Sequence, residues 1–289
     1  MERELFTNLM DRLARLQQAR QRPPKSTYTH LNVLAVMLWA ALHDRPISWA
    51  TQRRNWPAHD RTRPLPSNAT MTRRLRQPII NDLLEQLIAS MTAAGQGQRT
   101  LLIDGRPLTI ARHSRDTDAR YGRAAGGMGK GYKLHQIVDL QGNCKAWRVT
   151  PLNVNEKQPA LQMIEQLAPN QADTLLADNN YDANKLYEAA GQRGIQLLAP
   201  RRANAKRIII NRQSVWRLRA IQLLADDPGL LAPRRFIETC FAVQGNTIGG
   251  LGPLPNHIRG LKRVTRWVAV KLAIDAAHRQ RRNQRGEAA

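Results

Sequence analysis

The chain has 289 residues and carries 45 Lys and Arg against 22 Asp and Glu, a formal net charge of +23. This surplus predicts a polyanionic partner, above all nucleic acid, because phosphate contacts supply most non-specific affinity for nucleic acids. A hydrophobic fraction of 42% excludes a disordered chain, and the length permits one large core or two modest ones. The longest apolar stretch, Leu31 to Leu42, is too short to span a bilayer.

The cysteines and the N-terminus indicate a compartment. Cys144 and Cys240 are far apart and lack the spacing of a metal or redox motif. We therefore expect buried thiols in a reducing cytosol. The first residues lack the basic-then-apolar order of a secretory signal. The expectation is a soluble cytoplasmic protein with no membrane partner.

Residues 1–98 predict a helical region. Leu31–Leu42 is apolar nearly all round, which is typical of a central helix in a small bundle. Ser48 is expected to cap a short helix that runs to Arg54, and Ser67 to open a second short helix. The remaining predicted helices are Leu5–Gln21 and Ile79–Ala93.

The second short helix, residues 67–76, is a candidate DNA-reading helix. Asn68, Thr72, Arg73 and Arg76 are available there for base edges or phosphates. A helix-turn-helix uses a turn of about 3–4 residues, whereas the loop before this helix, residues 55–66, is much longer. A solvated basic helix in an all-α adaptor therefore remains the alternative.

Residues 99–289 predict an α/β region with a sheet of mixed direction. Asp182 is expected to cap the helix that runs to Gly191. The predicted strands are Thr100–Gly105, Leu108–Arg112, Tyr132–Leu140, Cys144–Thr150, Thr174–Ala177 and Ile195–Ala199. The other predicted helices are Glu156–Leu167, Ser214–Ala225, Arg234–Ala242 and Leu261–Arg282, the last made basic by Lys262, Arg263, Arg266 and Arg279.

Several polar motifs have simple interpretations. The glycine run from Ala124 to Gly131 lacks the Lys-Ser or Lys-Thr of a P-loop, so we expect a mobile loop. That loop would place Lys130 and Lys133 near a DNA backbone. Asp116 is expected to be solvated, as is Asp118. Asp139 is explained by turn chemistry.

Three acidic residues stand at positions suited to metal binding. Asp104 ends one apolar run and Asp178 ends another, while Glu238 lies in a predicted helix. A carboxylate just past a buried strand is held rigidly at the open end of the sheet. Three such groups brought together would bind hard divalent cations through oxygen. Two metals held there can activate water and stabilise an in-line attack on a phosphodiester.

Five segments together resemble the catalytic domain of DDE-type transposases of bacterial insertion sequences, which has an RNase H-like fold. The Asp-x-x-Tyr-Asp and Arg-x-x-x-Glu runs are the most specific of them. The segments are Leu101–Gly105, Lys130–His135, Val149–Asn155, Leu176–Asp182 and Arg234–Phe241. The N-terminal region, with Leu65-Pro66-Ser67 and Arg73-Arg74-Leu75, is similar to the DNA-end-binding region of that family.

The resemblance implies both an activity and a site. Asp104, Asp178 and Glu238 would be the catalytic, metal-binding triad, with Mg²⁺ or Mn²⁺ as cofactor. The substrates would be transposon terminal inverted repeats and target DNA, cut and joined by two-metal hydrolysis and transesterification. A homodimer on DNA and a bacterial, nucleoid-associated location are expected. The basic side chains expected to contact DNA are Arg73, Arg74, Arg76, Lys130, Lys133, Arg201, Arg202 and Arg234.

The expected domains are a helical DNA-binding region, residues 1–98, and an RNase H-like catalytic domain with a basic C-terminal helix, residues 99–289. One feature departs from the related signature, which has Tyr three residues before the Arg and Lys seven after the Glu. Leu231 and Gly245 stand at those positions. They favour a rival interpretation, a catalytically impaired transposase descendant that serves as a DNA-binding repressor or architectural protein. The complete triad favours the enzyme.

Overall fold

The computed structural model describes residues 2–18, 27–92, 99–201 and 212–284. Its contacts divide the chain into two compact units. Unit 1 comprises Met1–Ala93 and Gln244–Ala289, and unit 2 comprises Ala94–Val243. The C-terminal residues, which we expected to belong with the catalytic region, thus group with the N-terminal helices.

Unit 1 is helical. Its helices are α1 (Glu2–Gln18), α2 (His30–Leu42), α3 (Ile47–Ala50), α4 (Asn68–Arg74), α5 (Pro78–Thr92) and α10 (Leu261–Gln284). Every residue of α2 from Val33 onward is buried, which confirms the prediction of a central helix. Thr29 caps α2 through a reciprocal pair of hydrogen bonds with Asn32. Helix α10 packs on α1, α2 and α5.

The N-caps of the two short helices were both predicted, the first wrongly and the second correctly. Pro46, and not Ser48, is the N-cap of α3, so Ser48 lies inside a single helical turn. A separate 3-10 turn follows at Arg53–Asn55. Ser67 does cap α4, because its side chain accepts a hydrogen bond from the backbone N–H of Thr70.

Part of the charge of α10 is internal to unit 1. Lys271 is 1% exposed, and its Nζ donates to the backbone oxygen of Ala41 at 2.6 Å and to Asp44 at 2.7 Å. Arg279 is also buried, and its Nε lies 3.0 Å from Asp275. Burying either cation without a partner would be costly. The Lys271–Asp44 pair fixes α10 in the unit, whereas the Arg279–Asp275 pair lies within α10 itself. Arg279 therefore does not contribute to a basic surface.

Unit 2 is built on a six-stranded mixed sheet. Its strands are β1 (Thr100–Ile110), β2 (Arg120–Ala124), β3 (Gly127–Asp139), β4 (Cys144–Pro151), β5 (Thr174–Leu176) and β6 (Gln196–Leu198). The order is β2-β3-β1-β5-β6, with β4 also paired to β3. Strands β1, β5 and β6 are parallel, whereas β3 is antiparallel to β1, β2 and β4. The sheet has the mixed, helix-flanked arrangement of an RNase H-like domain.

Helices cover the sheet of unit 2. They are α6 (Lys157–Gln166), α7 (Asn184–Gln192), α8 (Val215–Asp226) and α9 (Phe236–Asn246), the last preceded by a 3-10 helix over Pro228–Arg235. The core combines the strand interiors with side chains of these helices, including Met163, Tyr187 and Ile237. Cys144 and Cys240 are both buried, as predicted.

The N-terminal strands were predicted wrongly in two places. Residues 100–110 form one continuous strand and not two. Pro107 is tolerated because β5 pairs with β1 only through Leu102, so the strand beyond it has a partner in β3 alone. The glycine run is not a mobile loop, since it forms the tight turn and arms of the β2–β3 hairpin. Gly126 and Gly127, with φ of 81° and 126°, make that turn.

Two aspartates have roles different from those predicted. Asp116 is buried, and its carboxylate accepts a hydrogen bond from the Tyr132 hydroxyl at 2.7 Å. Asp182 does not cap α7, whose N-cap is Ala183. Its two oxygens instead accept from the Arg217 guanidinium, each at 2.7 Å, which joins the start of α7 to α8. Asp139 accepts from the backbone of Gln141 and Asn143, as turn chemistry predicted.

Candidate active site

Asp104 and Asp178 lie at the same edge of the sheet. The last paired residues of the parallel strands β1 and β5 are Leu102 and Leu176. Each aspartate follows its own member of this pair by two residues, so the strand register brings the two side by side. Adjacent strands lie about 4.8 Å apart. Two distant apolar runs in the sequence thus converge on one acidic site.

The backbone fixes both carboxylates locally. The N–H of Gly105 donates to Oδ1 of Asp104 at 2.7 Å. Asp178 caps the 3-10 turn that follows it, and accepts from the backbone and side-chain nitrogens of Asn180 at 2.8 and 3.0 Å. These bonds orient the acids before any ligand is present.

Glu238 reaches the site from helix α9. Its neighbours Ile237 and Cys240 are buried in the core of unit 2, so the helix is anchored while the Glu238 side chain stays 66% exposed. The guanidinium of Arg106, on strand β1, donates to the backbone oxygen of Phe241 at 2.9 Å. This bond ties α9 to the strand that carries Asp104.

Arg234 links two members of the predicted triad. Its guanidinium lies 3.4 Å from Oδ2 of Asp104 and 3.3 Å from Oε1 of Glu238. Both distances are long for charge-assisted hydrogen bonds, which are usually about 2.7–2.9 Å. The Arg-x-x-x-Glu spacing places Arg234 and Glu238 one helical turn apart. The cation therefore stands between the two acids.

The site disfavours a bare charge on Asp104. Burial, followed by the nearby charges of Asp178 and Glu156, raises the pKa of Asp104 to about 6, against an ordinary value of 3.8. The Gly105 N–H and Arg234 oppose this rise. Perturbed carboxyl groups that share an environment are typical of functional sites.

Three further residues surround Asp104, and sequence reasoning did not assign them to the site. Glu156, just before α6, accepts a hydrogen bond from Lys133 Nζ at 2.7 Å. Tyr181 is buried, and among the described residues its hydroxyl has no hydrogen-bond partner. Burial, then Asp104, Glu156 and Asp178, raises its pKa well above the ordinary value. Tyr181 was visible in the Asp-x-x-Tyr-Asp run, whereas nothing in the sequence singled out Glu156.

A buried histidine lies beside this group. His135 pairs with Gly105 across strands β1 and β3, and its Nε2 lies 2.9 Å from the Thr150 hydroxyl. Burial, aided by Lys133, lowers its pKa to about 3, so the ring is neutral at physiological pH. A Cβ at Gly105 would lie 3.0 Å from the Lys133 side chain and 3.4 Å from the ring. A side chain at position 105 would therefore be tight, and the Lys133 side chain would have to shift slightly to make room for it.

The donor chemistry of the site suits a hard divalent cation. Carboxylate oxygens repel one another around Asp104, and a cation would relieve that repulsion. Over the described ranges, however, no three His, Cys, Asp or Glu side chains are grouped so that they could hold a metal ion. In this arrangement Arg234, and not a metal ion, contacts both Asp104 and Glu238.

Comparison with known families addresses the same region. Residues 102–242 match a family model described as Transposase DDE domain. This segment of the chain is a DDE-type transposase domain. The match spans Asp104, Asp178 and Glu238 and lies wholly within unit 2. No curated protein matches the chain.

The basic residues predicted to contact DNA lie in diverse surroundings. In unit 1, Arg73 and Arg76 are exposed. Arg74 is instead 6% exposed, and it donates to the Tyr28 backbone oxygen at 3.0 Å and contacts the His30 ring at 3.2 Å. Its charge holds unit 1 together and is not presented at the surface, which corrects the prediction for this residue.

The basic residues of the DDE domain that were predicted to contact DNA also differ from one another in burial and in hydrogen-bond partners. Lys133 is buried and paired with Glu156, so it belongs to the acidic site and is not a surface contact. Lys130 donates to the Ser114 backbone oxygen. Arg201 is exposed, and Arg202 lies outside the described residues.

The two positions that depart from the related signature have ordinary surroundings. Leu231 is partly buried and packs against the core of unit 2. Gly245 lies in the last turn of α9 and is not among the described glycines with positive φ. Its backbone therefore does not require glycine.

Among the described residues, no helix has the length and apolar character that crossing a membrane requires.

Proposed function

We propose that this protein is a transposase that cleaves and rejoins DNA strands at the ends of its own mobile element. The observation that carries the proposal is the register of β1 and β5, which sets Asp104 beside Asp178 within the matched DDE domain. Helix α9 adds Glu238, and Arg234 contacts two of these three acids. The net charge of +23 supports DNA as the partner.

We assign the three acids to metal binding. Asp104, Asp178 and Glu238 would hold Mg²⁺ or Mn²⁺, with Arg234 moving from the acids to the DNA backbone. The ions would supply Lewis-acid stabilisation of the oxygens that enter and leave at the scissile phosphodiester. Glu156 and Lys133 form an ion pair beside Asp104, and the charge of Glu156 acts on the Asp104 carboxyl.

The remaining roles concern the DNA. Unit 1 would bind the terminal inverted repeat, with Arg73 and Arg76 of the α4 segment facing phosphates. Arg201 and Arg234 would contact DNA near the cut, and target DNA would be joined in the same site. Two protomers would pair the two ends of the element. The chain thus divides into a helical DNA-binding region and a catalytic region.

A cleavage assay tests this proposal. The substrate is a labelled duplex that carries the inverted repeat flanking the coding sequence, incubated with Mg²⁺, with Mn²⁺ or with EDTA. We expect a cut at the repeat that leaves a 3′-hydroxyl, shown by extension with a polymerase, and no cut in EDTA. Tight binding without cleavage under any metal condition would contradict the proposal and leave a DNA-binding descendant as the better description.

A further inference from the structure

A cavity of about 320 Å³ opens in unit 1 between helices α4 and α10. Its floor is apolar and its rim is polar and basic, which distinguishes it from the acidic site of unit 2. The floor residues are Met37, Pro46, Ile47, Leu75, Ile258 and Trp267. The rim residues are Ser48, Asn68, Thr72, Arg76, His257, Arg263 and Arg266.

Three guanidinium groups converge on the cavity. Arg76 follows the C-terminal end of α4, and Arg263 and Arg266 come from the first turns of α10. Burial, followed by the charges of Arg263 and Arg76, lowers the pKa of Arg266. Within the described ranges, none of the three guanidinium groups makes a hydrogen bond or an ion pair with another residue, and no Asp or Glu lines the cavity.

The three guanidinium groups at the cavity favour the binding of an anion. Three like charges held near one another destabilise unit 1 unless a negative group enters among them. Guanidinium donors match the oxygens of a phosphate well, and several can share one phosphate. Asn68 and Thr72, one helical turn apart on α4, add polar groups to the same rim.

We infer that this cavity holds one backbone phosphate of bound duplex DNA, gripped by Arg76, Arg263 and Arg266. The inference rests on the proposed function and adds that α10, which is distant in sequence from α4, completes the DNA-binding surface. Arg73, on the same short helix, is exposed and does not line the cavity. This phosphate contact would orient α4 on the DNA, because phosphate contacts fix orientation and carry no sequence information.

The salt dependence of DNA binding tests the inference. The pocket variant is Arg263→Gln with Arg266→Gln, and its charge-matched control is Lys262→Gln with Arg282→Gln, on the same helix but outside the cavity. The probe is a fluorescent duplex of mixed sequence, titrated at several salt concentrations. We expect the pocket variant to lose about one unit of the log–log salt slope and to bind about tenfold more weakly at low salt.

The control should retain the parent slope more closely than the pocket variant does. An unchanged slope in the pocket variant, or an equal loss in the control, would overturn the inference while leaving the proposed function intact. If the parent protein bound no duplex at low salt, both the inference and the proposed function would be contradicted. Melting curves verify folding, and Arg263→Gln alone keeps the test valid if the double variant is unstable, because Arg263 is exposed.

Discussion

Asp104→Asn should make the metal-free protein more stable while removing its activity. The folded protein holds the pKa of Asp104 at about 6, against 3.8 ordinarily. The native state therefore binds this proton more tightly than the unfolded chain does, and the carboxylate costs stability as pH rises from about 4 to above 6. Asparagine keeps the shape and lacks the charge.

The magnitude follows from the shift. A difference of 6 − 3.8, about 2 units, at about 1.4 kcal/mol per unit corresponds to about 3 kcal/mol above pH 7. The opposing effects of Arg234 and of the Gly105 N–H are already contained in that pKa, so the expected gain stays at about 3 kcal/mol. At pH 5, where the native carboxyl is largely protonated, the gain should fall to about half.

The assay is denaturant unfolding in EDTA at pH 7.5 and pH 5, with Glu238→Gln as control. Glu238 is 66% exposed, so its replacement should change stability by no more than about 0.5 kcal/mol. Both variants should fail to cleave DNA. An Asp104→Asn protein no more stable than the parent at pH 7.5, or with the same gain at both pH values, would refute the electrostatic reasoning.

Two further predictions concern the remaining assigned residues. Arg74→Ala should lower the melting temperature, because it removes the hydrogen bonds of a buried guanidinium to Tyr28 and His30. The double variant Arg73→Ala with Arg76→Ala should keep the parent melting temperature and flatten the salt dependence of DNA binding. Equal losses of melting temperature in the two proteins would contradict this assignment. Leu231→Tyr with Gly245→Lys should raise the single-turnover cleavage rate, since errors of about 1 Å in positioning can cost about a hundredfold. A folded double variant with no gain would show that these positions are not a missing DNA contact.

The two aspartates were noticed because the signal is local: each follows an apolar run that forms a buried strand. Asp178 does follow the end of β5, whereas Asp104 lies inside the longer strand β1, just past the last residue that pairs with β5. Helix α6 joins β4 to β5, so the pairing of β5 with β1, with three strands between them in the sequence, is a long-range feature that no local pattern gives. Glu238 lies in a predicted helix with no comparable strand signal, and its assignment to the triad depends on the family resemblance.

The errors arose where long-range contacts override local pattern. Arg73, Arg74 and Arg76 look alike in sequence, yet only Arg74 turns inward, to a carbonyl 46 residues away. Asp116 lies among charged residues in the sequence, but in the structure it is buried and accepts a hydrogen bond from the Tyr132 hydroxyl. In the same way, α10 joins unit 1 through packing on α5 and through the Lys271–Asp44 pair, neither of which a window of sequence reveals.

The most direct test of the central claim is single-turnover cleavage of a terminal-repeat duplex by Asp104→Asn, Asp178→Asn and Glu238→Gln in Mg²⁺. Each substitution replaces one carboxylate with an amide of the same shape. We expect each to cut the cleavage rate by about a thousandfold or more, with DNA affinity retained because phosphate contacts come from other residues. Cleavage at the parent rate by any one variant would contradict the account, because that residue would then not belong to the catalytic site.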